Sequence, residues 1–162
     1  MNRSVKECLQ VSLAIEKEPP GQPSVLRLLE QSDAYAQSLY PAESNHLVDV
    51  STLEDLSVAF FVARHEGEVV GCCALVEAGD GSAEIKRMFV DPKARGLKIG
   101  RRLLDRIERH GRDAGLTVVR LETGIYQPEA IGLYRSAGYA EIEPFGKYLP
   151  DPLSLFMEKR LA

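Results

Sequence analysis

Apolar positions change their period along the chain, and each change marks an element. Residues 8–15 alternate loosely and predict a first strand. Glu18-Pro19-Pro20-Gly21-Gln22-Pro23 then breaks the chain. Val25, Leu26, Leu28, Leu29, Ala36 and Leu39 follow helical spacing, so residues 24–39 are predicted as a helix. Residues 40–45 read as a loop, and Thr52 as the cap of a short helical turn. Three β-rich runs follow, at 58–64, 69–77 and 84–90. They are separated by His65-Glu66-Gly67-Glu68 and Gly79-Asp80-Gly81-Ser82, and the last stops at Asp91-Pro92. Connections this short predict an antiparallel meander.

The period then returns to that of a helix. Ile99, Leu103, Ile107 and Gly111 recur every four residues, beside Leu104, which predicts a helix over 98–114 ended by Gly115. Residues 117–122 predict a strand. Pro128 suits the first turn of another helix, which ends at Gly138. Residues 139–142 and 153–158 predict the final strands. Strands, a meander and then strand–helix–strand make a mixed α/β (α+β) sheet, and no linker divides residues 1–162 into two domains.

Composition narrows the function classes. The net charge of −4, from 20 basic and 24 acidic residues, argues against a nucleic-acid binder. Lys86, Arg87, Lys93, Arg95, Lys98, Arg101, Arg102 and Arg106 nevertheless crowd one stretch, a local patch suited to a small polyanion. Three cysteines, Cys8, Cys72 and Cys73, form neither a disulfide framework nor a zinc spacing, and the three histidines are scattered, so no metal is expected. No secretory h-region opens the chain, and the longest apolar run, 58–63, is too short to span a membrane. These features predict a cytoplasmic protein. Open sheet edges leave a homodimer open.

The turn Arg95-Gly96-Leu97-Lys98-Ile99-Gly100 joins a strand to a helix. Its glycines allow close backbone approach, and the helix start offers unpaired N–H groups and a positive dipole end. Together these make an anion site. The same residues also read as an ordinary glycine-softened connection.

The block from Ala83 to Leu104 resembles the GNAT superfamily of N-acetyltransferases, whose signature is Arg/Gln-x-x-Gly-x-Gly/Ala across a strand and the next helix. A second block, Gln127-Pro128-Glu129-Ala130-Ile131-Gly132-Leu133-Tyr134-Arg135-Ser136-Ala137-Gly138-Tyr139, looks like that family's Asn-x-x-Ala-x-x-Leu-Tyr-x-x-x-Gly-Phe/Tyr helix. Two departures stand out: Lys98 takes the place of the first signature glycine, and Gln127 that of the usual Asn.

The resemblance implies a mostly antiparallel sheet of about six to seven strands flanked by about four helices. It implies acetyl-CoA as cosubstrate, with the pyrophosphate on the amides of Leu97 to Arg101 and the side chain of Arg95 beside it. The pantetheine arm would lie along Met88, Phe89 and Val90, with the Met88 amide facing the thioester carbonyl. Attack would be direct, in a ternary complex. Tyr134 takes the position of the family's general acid, and Glu84 that of a base in some members. As residues alone, Tyr134 also reads as a core aromatic and Glu84 as a structural partner of Lys86. Glu84, Lys86 and Met88 are expected on one strand face. For the acceptor, the candidates are Tyr35, Tyr40, Glu43, Asn45, His46, Lys86, Arg87, Tyr126 and Tyr148. A small amine is the first reading. A protein lysine or N-terminal amine, and a non-catalytic acetyl-CoA-binding module, are the alternatives.

Overall fold

The computed structural model describes residues 12–46, 48–94 and 96–161. Seven strands form one sheet in the order β1-β2-β3-β4-β5-β7-β6. They are β1 Leu13–Lys17, β2 Val58–His65, β3 Glu68–Glu77, β4 Ser82–Val90, β5 Val118–Gly124, β6 Ala140–Ile142 and β7 Ser154–Arg160. Only β4 and β5 run parallel. Four α-helices accompany them: α1 Pro23–Leu39, α2 Val50–Leu53, α3 Ile99–Asp113 and α4 Pro128–Ser136.

Each face of the sheet has its own core. On one side α1 and α2 bury Val25, Leu28, Leu29 and Leu53 against Phe60, Val62, Cys72 and Ala74. On the other, α3 and α4 bury Leu103, Leu104, Ile107 and Tyr134 against Phe61, Cys73, Leu75 and Leu121. The periodicity of each helix is the reason: its apolar stripe must face the sheet. Gly71 lets α3 approach β3, since a Cβ there would sit 3.1 Å from Ile99 Cγ2. Under α3 the buried Glu108 accepts from Lys159 Nζ at 2.6 Å and from the Tyr139 hydroxyl at 3.1 Å, tying the helix to β7.

Several boundaries differ from the expectation. The first described strand is Leu13–Lys17, and residues 8–11 of the predicted strand lie outside the described residues. The short helix α2 is capped by Asp49, whose carboxylate accepts the Thr52 N–H at 3.0 Å. Thr52 is therefore the capped residue and not the cap. The same Asp49 oxygen also accepts from the Ser51 and Thr52 hydroxyls, at 2.8 and 2.9 Å, which holds it at the helix start.

The largest correction concerns β4. Arg87 sits at φ +55°, and the β3–β4 register slips between Cys72 and Ala74: Cys72 pairs with Phe89, while Ala74 pairs with Lys86. This is a β-bulge. It puts Lys86 and Arg87 on the α1 side, while Ile85 and Met88 pack into the α3 core. Glu84 and Lys86 share a face, as expected, but Met88 points the opposite way. The extra residue reverses the alternation beyond it.

Candidate active site

The bulge has a second consequence. β4 and β5 pair from Ser82–Val118 to Ile85–Leu121, and no pair follows. Past that point the two parallel strands part, leaving a cleft of about 140 Å³. One wall is Lys86 to Phe89, the other Glu122 to Gly124, with Gln127 and Tyr134 at one end. The other end is closed by α1 and the loop that holds Asn45 and His46. A strand edge with no ladder partner can take an extended amide chain as a false neighbour.

Beyond the end of β4 the chain turns through Gly96, at φ +93°, into α3. The first turn of α3 carries no acidic residue and no side-chain cap. The amides of Ile99, Gly100 and Arg101 have no intrahelical acceptor, which is the arrangement that attracts anions. Lys98 holds φ +55°, ψ +38°, the left-handed conformation that a glycine adopts freely. A residue with a Cβ holds it at a cost of about 1–2 kcal/mol. The Lys98 side chain is exposed. Gly100 serves packing: a Cβ there would sit 2.9 Å from Leu133 Cδ2 on α4. The Arg101 guanidinium turns away from the loop, donating to Asp105 and to the Ser136 carbonyl, both at 3.3 Å. Leu97 packs against the core, Phe89 and Val90 lie on opposite faces of β4, and Arg95 lies outside the described residues.

Tyr134 is buried on α4, its ring edge-to-face with Tyr139 at 5.9 Å. Burial holds its phenol well above the usual tyrosine range, so it stays protonated at any physiological pH. It lines the cleft together with Met88 and Glu122. Both cysteines of β3 are fully buried, on opposite faces, and burial pushes the Cys72 thiol up to about 12. Neither is a nucleophile.

Glu122 is the residue that pattern reading misses. It follows Arg120 on the polar side of β5, where alternation predicts solvent. In the fold it lines the cleft, and Ser154 Oγ donates to its Oε1 at 2.8 Å. Burial raises its pKa above the ordinary carboxylate range, despite the opposing influence of that hydrogen bond and of His46 and Lys86. It is the residue after Leu121, the last residue of β5 paired with β4, and no pattern in the sequence marks that point.

Glu84 sits in a different environment. The Tyr148 hydroxyl donates to it at 2.5 Å, and Lys86 Nζ is 3.3 Å away. Lys86 also donates to Tyr148 and, at 3.1 Å, to the His46 carbonyl. This network fastens the 145–150 loop and the 40–46 loop to β4. The Arg87 guanidinium is committed to Asp33 at 2.5 Å and the Leu29 carbonyl at 3.3 Å.

The other acceptor candidates divide. Tyr40 is buried; its hydroxyl accepts the Tyr126 N–H at 3.0 Å and its ring stacks on Tyr126 at 5.6 Å. Tyr35 and Tyr126 are exposed at the rim, and Glu43 is exposed in a 3₁₀ turn. Among the described residues no group of His, Cys, Asp and Glu gathers as a metal site. No described helix is long and apolar enough to cross a membrane.

Residues 25–139 match the sequence profile of the Acetyltransferase (GNAT) family. An IAA acetyltransferase of Azospirillum brasilense is 54% identical over 151 residues, covering 93% of this chain and 99% of its own. A crystal structure of a putative acyl-CoA N-acyltransferase from Klebsiella pneumoniae superposes with a TM-score of 0.82 at 37% identity, over 93% of this chain and 98% of the other. At 18% identity, the PaiA N-acetyltransferase of Thermoplasma acidophilum, in complex with coenzyme A, shares the fold with a TM-score of 0.73, over 92% and 99%.

Proposed function

The chain belongs to the GNAT acetyltransferase family, an acyltransferase enzyme of N-acetyltransferase type, and from that premise we propose that it moves an acetyl group from acetyl-CoA to the primary amine of a small molecule. The parting of β4 and β5 carries the reading. It leaves a strand edge where the pantetheine arm of acetyl-CoA can lie, ending at the uncapped start of α3 for the pyrophosphate. The Azospirillum relative, which matches over nearly its whole length, supports acetyl transfer as the chemistry.

The amine arrives protonated, since its pKa is about 10.4 in water. Glu122 takes the proton. It is a carboxylate that burial has made more basic, on the wall of the cleft, and catalysis gains when a base titrates nearer the working pH. The free amine nitrogen then attacks the thioester carbonyl carbon. The carbonyl electrons move onto oxygen, which the Met88 N–H stabilises as a fixed backbone donor. Collapse re-forms the carbonyl and breaks the C–S bond. Tyr134, held protonated by burial, supplies the proton to the departing sulfur, and the second proton of the newly acylated nitrogen replaces it on the phenolate oxygen.

Binding is tested by thermal shift. At a concentration a hundred times Kd, acetyl-CoA stabilises the fold by about 2.7 kcal/mol, which raises the Tm of a chain this size by roughly 5–10 °C. No shift at millimolar acetyl-CoA would refute the proposal. A screen of small amines against release of free thiol then identifies the acceptor. If only peptide amines react, the small-molecule acceptor is wrong and the transfer chemistry stands.

A further inference from the structure

The β4 bulge is held from outside the strand. Arg87 is a non-glycine residue at φ +55° in the middle of a strand, and its side chain is only 4% exposed. A buried guanidinium in a left-handed backbone conformation persists only where its surroundings over-determine it. Those surroundings are α1. Asp33 Oδ1 accepts from Nη1 at 2.5 Å, the Leu29 carbonyl accepts from Nη2 at 3.3 Å, and on the strand side Cys72 Sγ donates to the Arg87 carbonyl at 3.2 Å. The Arg87 Nε is buried with no partner among the described residues, and among them Asp33 is the only carboxylate paired with this cation.

We infer that the Asp33–Arg87 ion pair is a positioning device: it locks the bulge of β4 and so aims the Met88 N–H at the thioester carbonyl. Three observations converge on it. The bulge begins at the residue that Asp33 grips. Met88 is the next residue in the chain, and its side chain has already crossed to the other face of the sheet. The β4–β5 pairing ends at Ile85, two residues before the grip, so on the β5 side no strand fixes this backbone, and on the β3 side the ladder slips at this point. Asp33 and Leu29 lie on the helix whose later residues, Ala36 and Tyr40, line the cleft, so the wall that faces the acceptor also sets the backbone donor. Asp33 and Arg87 touch neither acetyl group nor amine in this scheme and act through Met88. The inference rests on the proposed path of acetyl-CoA along β4.

The chain has three methionines, Met1, Met88 and Met157, so selective ¹⁵N-methionine labelling makes the Met88 amide readable. Met157, buried in β7, is the internal control. The measurement compares the Met88 amide shift in complexes with acetyl-CoA and with CoA. The wild type is expected to show a distinct downfield shift with acetyl-CoA. Asp33→Asn and Arg87→Ala should lose at least half of that difference, with Kd for CoA within about threefold of wild type. Arg87→Gly should keep most of it, because glycine adopts φ +55° without a guanidinium to hold it.

Asp33→Asn alters a half-exposed carboxylate by one atom, which keeps the test independent of whether Arg87→Ala folds. An unchanged Met88 difference in Asp33→Asn would overturn the inference and leave the proposed function standing. Equal loss in Arg87→Gly and Arg87→Ala would overturn it too. If the wild type itself shows no difference between acetyl-CoA and CoA, the thioester does not meet Met88, and the proposed path falls along with the inference.

Discussion

The Tyr148 hydroxyl donates to the Glu84 carboxylate at 2.5 Å, and Lys86 Nζ lies 3.3 Å from the same oxygen. Glu84 is thereby engaged in holding the 145–150 loop. Burial and Glu84 itself hold the Tyr148 phenol far above its usual range, so this hydroxyl remains a donor. Glu122, one strand away, keeps one neutral donor, Ser154, and a face on the cleft. Two carboxylates on one sheet face thus differ: Glu84 is engaged by Tyr148 and Lys86, and Glu122 is the one proposed as the base. Glu84→Gln is expected to keep kcat within about tenfold, while Glu122→Gln loses about 10²–10⁴-fold, the range for a general base. Thiol-release kinetics decide between them, and a larger loss in Glu84→Gln returns the base role to Glu84.

The same environment sets a pH dependence. With Glu122 as the proposed base, kcat should rise with pH as its carboxyl ionises, through an apparent pKa above the ordinary carboxylate range. Stability runs in the opposite direction. A carboxyl whose folded pKa is raised favours the fold fully below its unfolded value, about 4.3, and that contribution is lost as pH rises through the folded pKa. At pH 7–8 Glu122→Gln should therefore be at least as stable as wild type while far less active. The difference in Tm should shrink towards pH 4. A Glu122→Gln variant less stable than wild type at pH 8 would mean that the carboxylate is satisfied in the fold rather than desolvated.

Tyr134 stands at the end of the cleft with its phenol protonated. Tyr134→Phe removes the hydroxyl proposed as the proton donor and keeps the ring against Tyr139. Turnover should fall by about 10²–10⁴-fold with little change in acetyl-CoA affinity. Thioesters with a more acidic leaving thiol need less help from an acid, so they should show a smaller loss. A loss that ignores the leaving group would remove Tyr134 from that step.

Much of this arrangement is written in the sequence, and the parts that are not have physical reasons. Glycine and proline punctuation fixed the meander and the ends of α3 and α4, because few residues adopt the required backbone angles. The bulge was not legible, since the residue that adopts φ +55° is an arginine, which carries no turn signal. Its absence from the pattern misplaced Met88 by one face. Glu122 was hidden for a related reason. Its side of β5 alternates as polar, and only tertiary coverage by the 40–46 loop and by β7 takes it out of water. The anion turn was legible from its glycines, whereas the diversion of Arg101 to Ser136 depends on where α4 packs.

Lys98 offers a direct test of backbone strain at that turn. Its φ of +55° is one that glycine adopts without strain. Lys98→Gly should remove about 1–2 kcal/mol of strain, partly offset by the greater freedom of glycine in the unfolded chain. The net gain is expected to be about 0.5–1 kcal/mol, or roughly 1–4 °C in Tm. Lys98→Ala, which keeps the Cβ and removes only the ammonium, should show no such gain. Comparing acetyl-CoA affinity in the two variants separates backbone from charge. If both lose affinity alike, the ammonium contributes to binding; if Lys98→Gly alone gains, the Cβ was crowding the ligand.

Gly124 couples the cleft to α1 through an absent side chain. A Cβ there would lie 1.9 Å from the Tyr40 hydroxyl and 2.1 Å from Cζ. Its φ is not left-handed, so the requirement for glycine is purely steric. Gly124→Ala must expel the Tyr40 ring, which breaks its bond from the Tyr126 N–H and its stack on Tyr126. Such overpacking costs about 1–3 kcal/mol, which lowers Tm by several degrees. It also frees the end of α1 that closes the cleft, so KM for the acceptor should rise more than KM for acetyl-CoA. Tyr40→Ala removes the ring that the methyl would strike. If the clash is the cause, Gly124→Ala in a Tyr40→Ala background should cost almost nothing further. Full additivity of the two substitutions in a thermal-melt cycle would show that Gly124 is needed for something other than room for Tyr40.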